Sequence, residues 1–229
     1  MHHTTDRVDL YLAVHKGLRA CMAHTLVEAG RVDTDDADDT ARTLQAVRHL
    51  VTLCRSHLEH EDEFVHAAME ARRPGSAAAT LADHAAHTRA FADIEEVISA
   101  VESSAGAERV TAMQRLYALL AYFVGENYTH MHVEEMHNNA VLWSAYSDEE
   151  LLSLKRRLLA AIPPEINMAV LRWMAPSLSP AQRAELFLGA RSGMPPAAFD
   201  AALAMVKNHI GARDWFKLQV ALGPLPAAA

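Results

Sequence analysis

Cysteine is scarce. Cys21 and Cys54 are the two cysteines in 229 residues, and no C-x-x-C pair occurs. This excludes zinc-finger and thioredoxin-like readings and predicts two reduced, half-buried core thiols. Blocks of Lys or Arg are also missing, and 21 basic against 29 acidic residues leave a net charge of -8. Nucleic acid is therefore not expected as a partner. No apolar run reaches the roughly 18 residues of a membrane span. The start, Met1-His2-His3-Thr4-Thr5-Asp6, lacks the basic and apolar regions of a signal peptide and reads as a disordered terminus. A cytoplasmic protein without a membrane partner is the expectation. Neither a phosphate loop nor a nucleophile triad is present. Glycine and proline are sparse before residue 160 or so, while Ala and Leu are prominent in a chain that is 51% hydrophobic. That composition predicts helices and a core of real size.

What the chain has in excess is histidine, 14 in all. Two stretches stand out, His57-Leu58-Glu59-His60-Glu61-Asp62 and His130-Met131-His132-Val133-Glu134-Glu135. Each pairs a histidine with a glutamate four residues later. On a helix, that places imidazole and carboxylate on one face, one turn apart. Two such half-sites in one chain predict a helical bundle with a paired site in its core.

The hydrophobic periodicity predicts four long helices, over 8–29, 36–72, 77–103 and 107–145. The first carries His15 on an apolar stripe and ends at Gly30. The acidic run Asp33–Asp39 reads as a turn whose acids cap the second helix, rather than as a calcium loop. On that helix Val47, Leu50, Cys54, His57, Glu61, Phe64 and Ala68 share a stripe. Glu61 is thus directed inward on a stripe without Arg or Lys. A buried carboxylate needs a cationic partner, and a metal ion is one. The third helix aligns Leu81, His84, Phe91, Ile94, Ile98 and Val101, with His87 at the edge of the stripe. The fourth aligns Leu116, Leu120, Phe123, Asn127, His130, Glu134 and Val141. His132 points away from that face, and Asn127 is a candidate to orient His130. Short turns imply antiparallel neighbours, with one inward histidine on each helix.

Beyond residue 145 the character changes. Ser147 to Glu150 form a capping box that opens a helix running to Ile162. Pro163-Pro164, Pro176, Ser179-Pro180 and Pro195-Pro196 then punctuate short helices, the last two pairs reading as helix starts. Residues 148–222 are read as a helical C-terminal extension, a small subdomain or a cover on the bundle formed by 8–145. Pro224–Ala229 read as a frayed end.

His15, His57-x-x-x-Glu61, His84 and His130-x-x-x-Glu134, on four successive helices, resemble the hemerythrin-like (HHE cation-binding) domain. The resemblance covers about residues 8–145 and implies a left-handed antiparallel four-helix bundle around a non-haem di-iron centre, oxo- or hydroxo-bridged. The implied iron ligands are His15, His57, Glu61, His84, His130 and Glu134, with both glutamates bridging. Oxygen-carrying members have a second histidine on the third helix, spaced H-x-x-x-H. Here Thr88 occupies that position, and His87, at H-x-x-H spacing, is the remaining candidate for a further ligand.

Such a centre keeps open positions for a small ligand. The leading expectation is a protein that binds or senses oxygen, nitric oxide or iron. The alternatives are a di-iron redox enzyme, an iron–sulfur repair or nitric oxide response protein, and a metal-free helical scaffold. No protein partner is indicated by the residues.

Overall fold

A computed structural model describes residues 7–223. The readings of His2, His3 and Pro224–Ala229 lie outside these residues. Every regular element in the described residues is helical. In chain order they are α1 (Leu12–Arg31), α2 (Ala37–His60), α3 (Ala67–Arg72), α4 (Ala78–Ser103), α5 (Gly106–Val133), α6 (Asn139–Ala145), α7 (Asp148–Ala161), α8 (Pro164–Ser177), α9 (Pro180–Gly193), α10 (Pro196–Lys207) and α11 (Ala212–Leu222). Among them no helix is long and apolar enough to cross a membrane.

The chain divides into two compact units. Of the described residues, the first holds 7–12 together with Cys21–Pro163, and the second holds Ala13–Ala20 with 164–223. The first unit is the bundle. α4 lies along α5, α2 packs against α4, and α3 packs against α6. Its core includes Val47, Leu50 and Leu53 from α2, Phe91, Ile94 and Ile98 from α4, and Leu116, Leu120 and Phe123 from α5. The Cys21 and Cys54 thiols are fully buried rather than half-buried. Burial, with Cys21 nearby, pushes the Cys54 thiol far up, so it is inert at neutral pH.

The expected second and fourth helices each contain a π-helical turn, at Glu61–His66 and at Glu134–Asn138. Each begins at the glutamate of an H-x-x-x-E pair. A π-turn takes up one extra residue, so the buried face downstream shifts by one position. The shift is visible on both helices. Val65 and Met69 are buried in place of the expected Phe64 and Ala68, and Leu142 in place of Val141. Leu81, expected on the core stripe of α4, is 37% exposed.

α1 starts later than the periodicity predicts, because the chain before it is used elsewhere. Arg7 binds Asp148 and the carbonyls of Trp143 and Tyr146, and the Trp143 indole donates to the Val8 carbonyl. Asp9 Oδ1 then accepts from the Tyr11 and Leu12 N–H groups at the helix start. Nor does Gly30 end the helix, which runs to Arg31. A Cβ on Gly30 would lie 2.9 Å from Tyr117 Cε2, so the glycine serves the close approach of that ring. Asp36 caps α2 as expected, accepting from the N–H groups of Asp38 and Asp39.

The second unit has its own core of Ala175, Phe187, Phe199, Leu203, Val206 and Leu218. A capping box at Ser179 opens α9, as one at Ser147 opens α7 in the first unit, and proline begins α9 and α10. Pro176 does not separate helices, for α8 ends one residue after it. Arg183, 1% exposed, donates to the carbonyls of Ala175 and Leu178 and so satisfies the end of α8. Phe216 contributes nothing to this core, being 65% exposed. Within the unit Gly17 meets the backbone of α8. A Cβ there would stand 2.9 Å from Met174 N and Cα. Gly17→Ala is expected to cost about 1–3 kcal/mol, seen as a melting temperature lowered by roughly 2–4 °C per kcal/mol. An unchanged melt would show that this approach is not tight.

Candidate metal centre

The two H-x-x-x-E pairs behave as their spacing requires. His57 Nε2 lies 3.3 Å from Glu61 Oε1, and His130 Nε2 lies 3.3 Å from Glu134 Oε2. Both glutamates are buried, Glu61 at 3% and Glu134 at 0% exposure. α4 adds His84 between them. Its Nε2 is 3.7 Å from Glu61 Oε2, 3.6 Å from Glu134 Oε1 and 3.0 Å from His130 Nε2. Glu61, His84, His130 and Glu134 thus offer one ligand atom each within 4.8 Å of one another, and His57 offers one to the same two carboxylates within that distance. Glu61 and Glu134 are common to both sets.

The far sides of the rings are held by carboxylates. His84 Nδ1 is 2.7 Å from Asp62 Oδ1, and His130 Nδ1 is 3.3 Å from Asp83 Oδ2. An ionised carboxylate can only accept, so each Nδ1 carries the hydrogen. In the neutral rings both Nε2 atoms are then bare lone pairs that face each other at 3.0 Å. That contact is repulsive unless a proton or a metal cation sits beside it. An imidazole that donates from Nδ1 to a carboxylate and presents a bare Nε2 is the arrangement that metal-binding histidines adopt. The donor set therefore fits a metal such as iron, which takes imidazole and carboxylate together.

Electrostatics give the same picture. Burial disfavours the charge on Glu134, but His130, His66 and His84 outweigh it and hold the carboxyl well below its usual range. Burial likewise disfavours protonated His130, yet Glu134, Glu61 and Asp83 raise its affinity for a proton. The Tyr11 hydroxyl is pushed well up by burial and by the charges of Glu134 and Glu61.

The remaining sequence candidates fall as follows. His15 is wholly buried, but it sits on the stretch of α1 grouped with the second unit. His87 is 5% exposed, its ring edge-on to His130 at 4.9 Å and to Phe123 at 6.0 Å. Its Nδ1 makes no hydrogen bond, and it belongs to none of the close donor sets among the described residues. Burial, then the neighbouring His130 and His84, lower its pKa to about 4. With Asp83, Phe123, Thr129 and His130 it lines a cavity of about 200 Å³. His132 is exposed, as its angle predicts. Asn127 does not orient His130. Its amide donates to the Phe123 carbonyl of its own helix, at 2.8 Å.

Four residues of the site went unrecognised in the sequence. Asp62 and Asp83 hold histidine rings, and Asn138 donates to the Tyr11 hydroxyl at 3.2 Å. The fourth is His66, 1% exposed, with Nδ1 2.9 Å from Asp62 Oδ1 and Nε2 3.8 Å from Glu134 Oε1. One signal was present for Asp62, since an acid follows the glutamate in both motif copies. None marked His66, because the π-turn that turns it inward is not written in the hydrophobic period.

Comparison with curated proteins and with solved structures gave no match. The family model described as "Hemerythrin HHE cation binding domain" matches residues 6–142, more than half of the chain and both H-x-x-x-E pairs. Its subject is cation binding, with which the buried histidine and carboxylate sets are compatible. The chain belongs to the hemerythrin HHE cation-binding domain family.

Proposed function

We propose that this chain is a di-iron protein that binds or senses a small diatomic ligand, oxygen or nitric oxide, in the core of its bundle. The observation that supports the reading is the pair of donor sets that share Glu61 and Glu134. Two buried carboxylates common to two sets of imidazoles suit two cations held side by side. His84 and His130 would serve one ion and His57 the other. Bound there, the iron pair supplies one-electron redox chemistry and affinity for small ligands.

The protein's own groups do the rest. Asp62 and Asp83 fix the tautomers and orientations of His84 and His130, so that their Nε2 atoms are ready to bind without rearrangement. Burial of Glu61 and Glu134 keeps water from competing for them. The cavity beside His87 and His130 gives a molecule of few atoms room close to the centre.

The reading is tested by reducing the iron-loaded protein anaerobically and then admitting oxygen or nitric oxide. A change in the optical spectrum within the mixing time is expected with at least one of the two. A spectrum indifferent to both would refute a role in diatomic binding. His87→Ala is expected to keep both metals, since no donor set includes it, while altering the rate of that spectral change through the cavity it lines. Loss of metal from His87→Ala would make it a ligand after all.

A further inference from the structure

The geometry points to His66 as an iron ligand of this centre, an inference that rests on the di-iron reading. His66 is the last residue of the π-turn that begins at Glu61. In an uninterrupted α-helix it would lie about 140° around the axis from Glu61, at roughly 100° per residue. The extra residue of the π-turn closes most of that gap, and the imidazole ends 1% exposed.

The ring is held as its neighbour is held. Asp62 Oδ1 is 2.7 Å from His84 Nδ1 and 2.9 Å from His66 Nδ1. One carboxylate oxygen accepts from both rings, so both are Nδ1–H tautomers with Nε2 directed inward. The two ring centroids are 4.9 Å apart. His84 Nε2 stands 3.6 Å from Glu134 Oε1, and His66 Nε2 stands 3.8 Å from the same oxygen. Two bare imidazole nitrogens thus flank one buried carboxylate oxygen at nearly equal distances. The Asn138 amide reaches His66 Nε2 only at 3.5 Å, the limit of a hydrogen bond. A cation beside Glu134 Oε1 would satisfy both nitrogens. The competing role for His66 is that of a purely structural imidazolium between Asp62 and Glu134.

The two roles separate on metal retention. The full-length protein would be loaded with iron and challenged with a chelator as wild type, as His66→Gln and as His66→Gly with and without added imidazole. A ligand role predicts iron loss from His66→Gln at least about tenfold faster than from wild type. It also predicts that free imidazole slows the loss from His66→Gly, because the small molecule refills the vacated position. Should the variants not fold, the crystal structure of iron-loaded wild type decides, with His66 Nε2 expected about 2.1 Å from an iron. Wild-type retention in His66→Gln, or a His66 nitrogen more than about 3 Å from any iron in that crystal, overturns the inference while leaving the di-iron reading intact. A wild type that takes up no iron overturns both.

Discussion

Glu134→Ala and Glu61→Ala are expected to lose both metals of the proposed di-iron centre, whereas Glu135→Ala and Glu59→Ala are expected to keep them. This is the largest effect expected of any single change in the chain. Each of the two buried glutamates belongs to both donor sets, so removing one would take a ligand from both ions of the proposed centre at once. The loss in affinity should exceed the ~10–100-fold typical of removing a group that only supports a ligand. Glu59 and Glu135 are close in sequence and equal in charge, but Glu59 is exposed and neither belongs to a donor set. The four variants therefore separate position from charge. Elemental analysis after gel filtration reads the outcome. Equal loss at Glu135 and Glu134 would mean that the π-turn does not set the register described here.

The second large effect is expected at Asp62, a residue 42% exposed that touches no metal in this account. Its Oδ1 accepts from two rings, His84 at 2.7 Å and His66 at 2.9 Å. Asp62→Ala frees both imidazoles to turn and to change tautomer, and metal affinity should fall about 10–100-fold. Asp62→Asn keeps an acceptor oxygen without the charge, so it should fall between the alanine variant and wild type. Glu63→Ala, one residue along the same π-turn and exposed, is the control and should change nothing. Competition with a coloured chelator measures all three. Asp62→Ala indistinguishable from Glu63→Ala would remove the reason for treating Asp62 as the positioning group.

The bundle was legible because its signals are local and redundant. Apolar residues at three- and four-residue intervals place Leu50, Cys54 and Ile94 in the core, and the turn before α2 is marked by the acids that cap it. The H-x-x-x-E pairs were legible for the same reason, since one helical turn brings their side chains together. What was not legible follows from a single physical event, repeated. A π-turn at Glu61 and another at Glu134 each add a residue to one turn, and everything downstream rotates relative to a 3.6-residue period. Met69 and Leu142 replace their predicted neighbours in the core for this reason, and His66 turns inward. Asp62 and Asp83 were hidden for another reason. They are half exposed and read as solvated acids, and only the packing of neighbouring helices shows which imidazole each one meets. The resemblance placed a further ligand on the third helix, where Thr88 stands. The further ligand proposed above, His66, lies instead on the π-turn that follows α2.

Two iron ions per chain, held between Glu61 and Glu134 as proposed, can be counted. Protein produced in iron-replete cells, purified without chelator and freed of loose metal by gel filtration, should contain about two iron atoms per chain. Those ions should raise the melting temperature above that of the stripped protein, as ligands bound only to the folded state do. A folded protein that holds no metal, and melts at the same temperature with and without added iron, would contradict the di-iron reading.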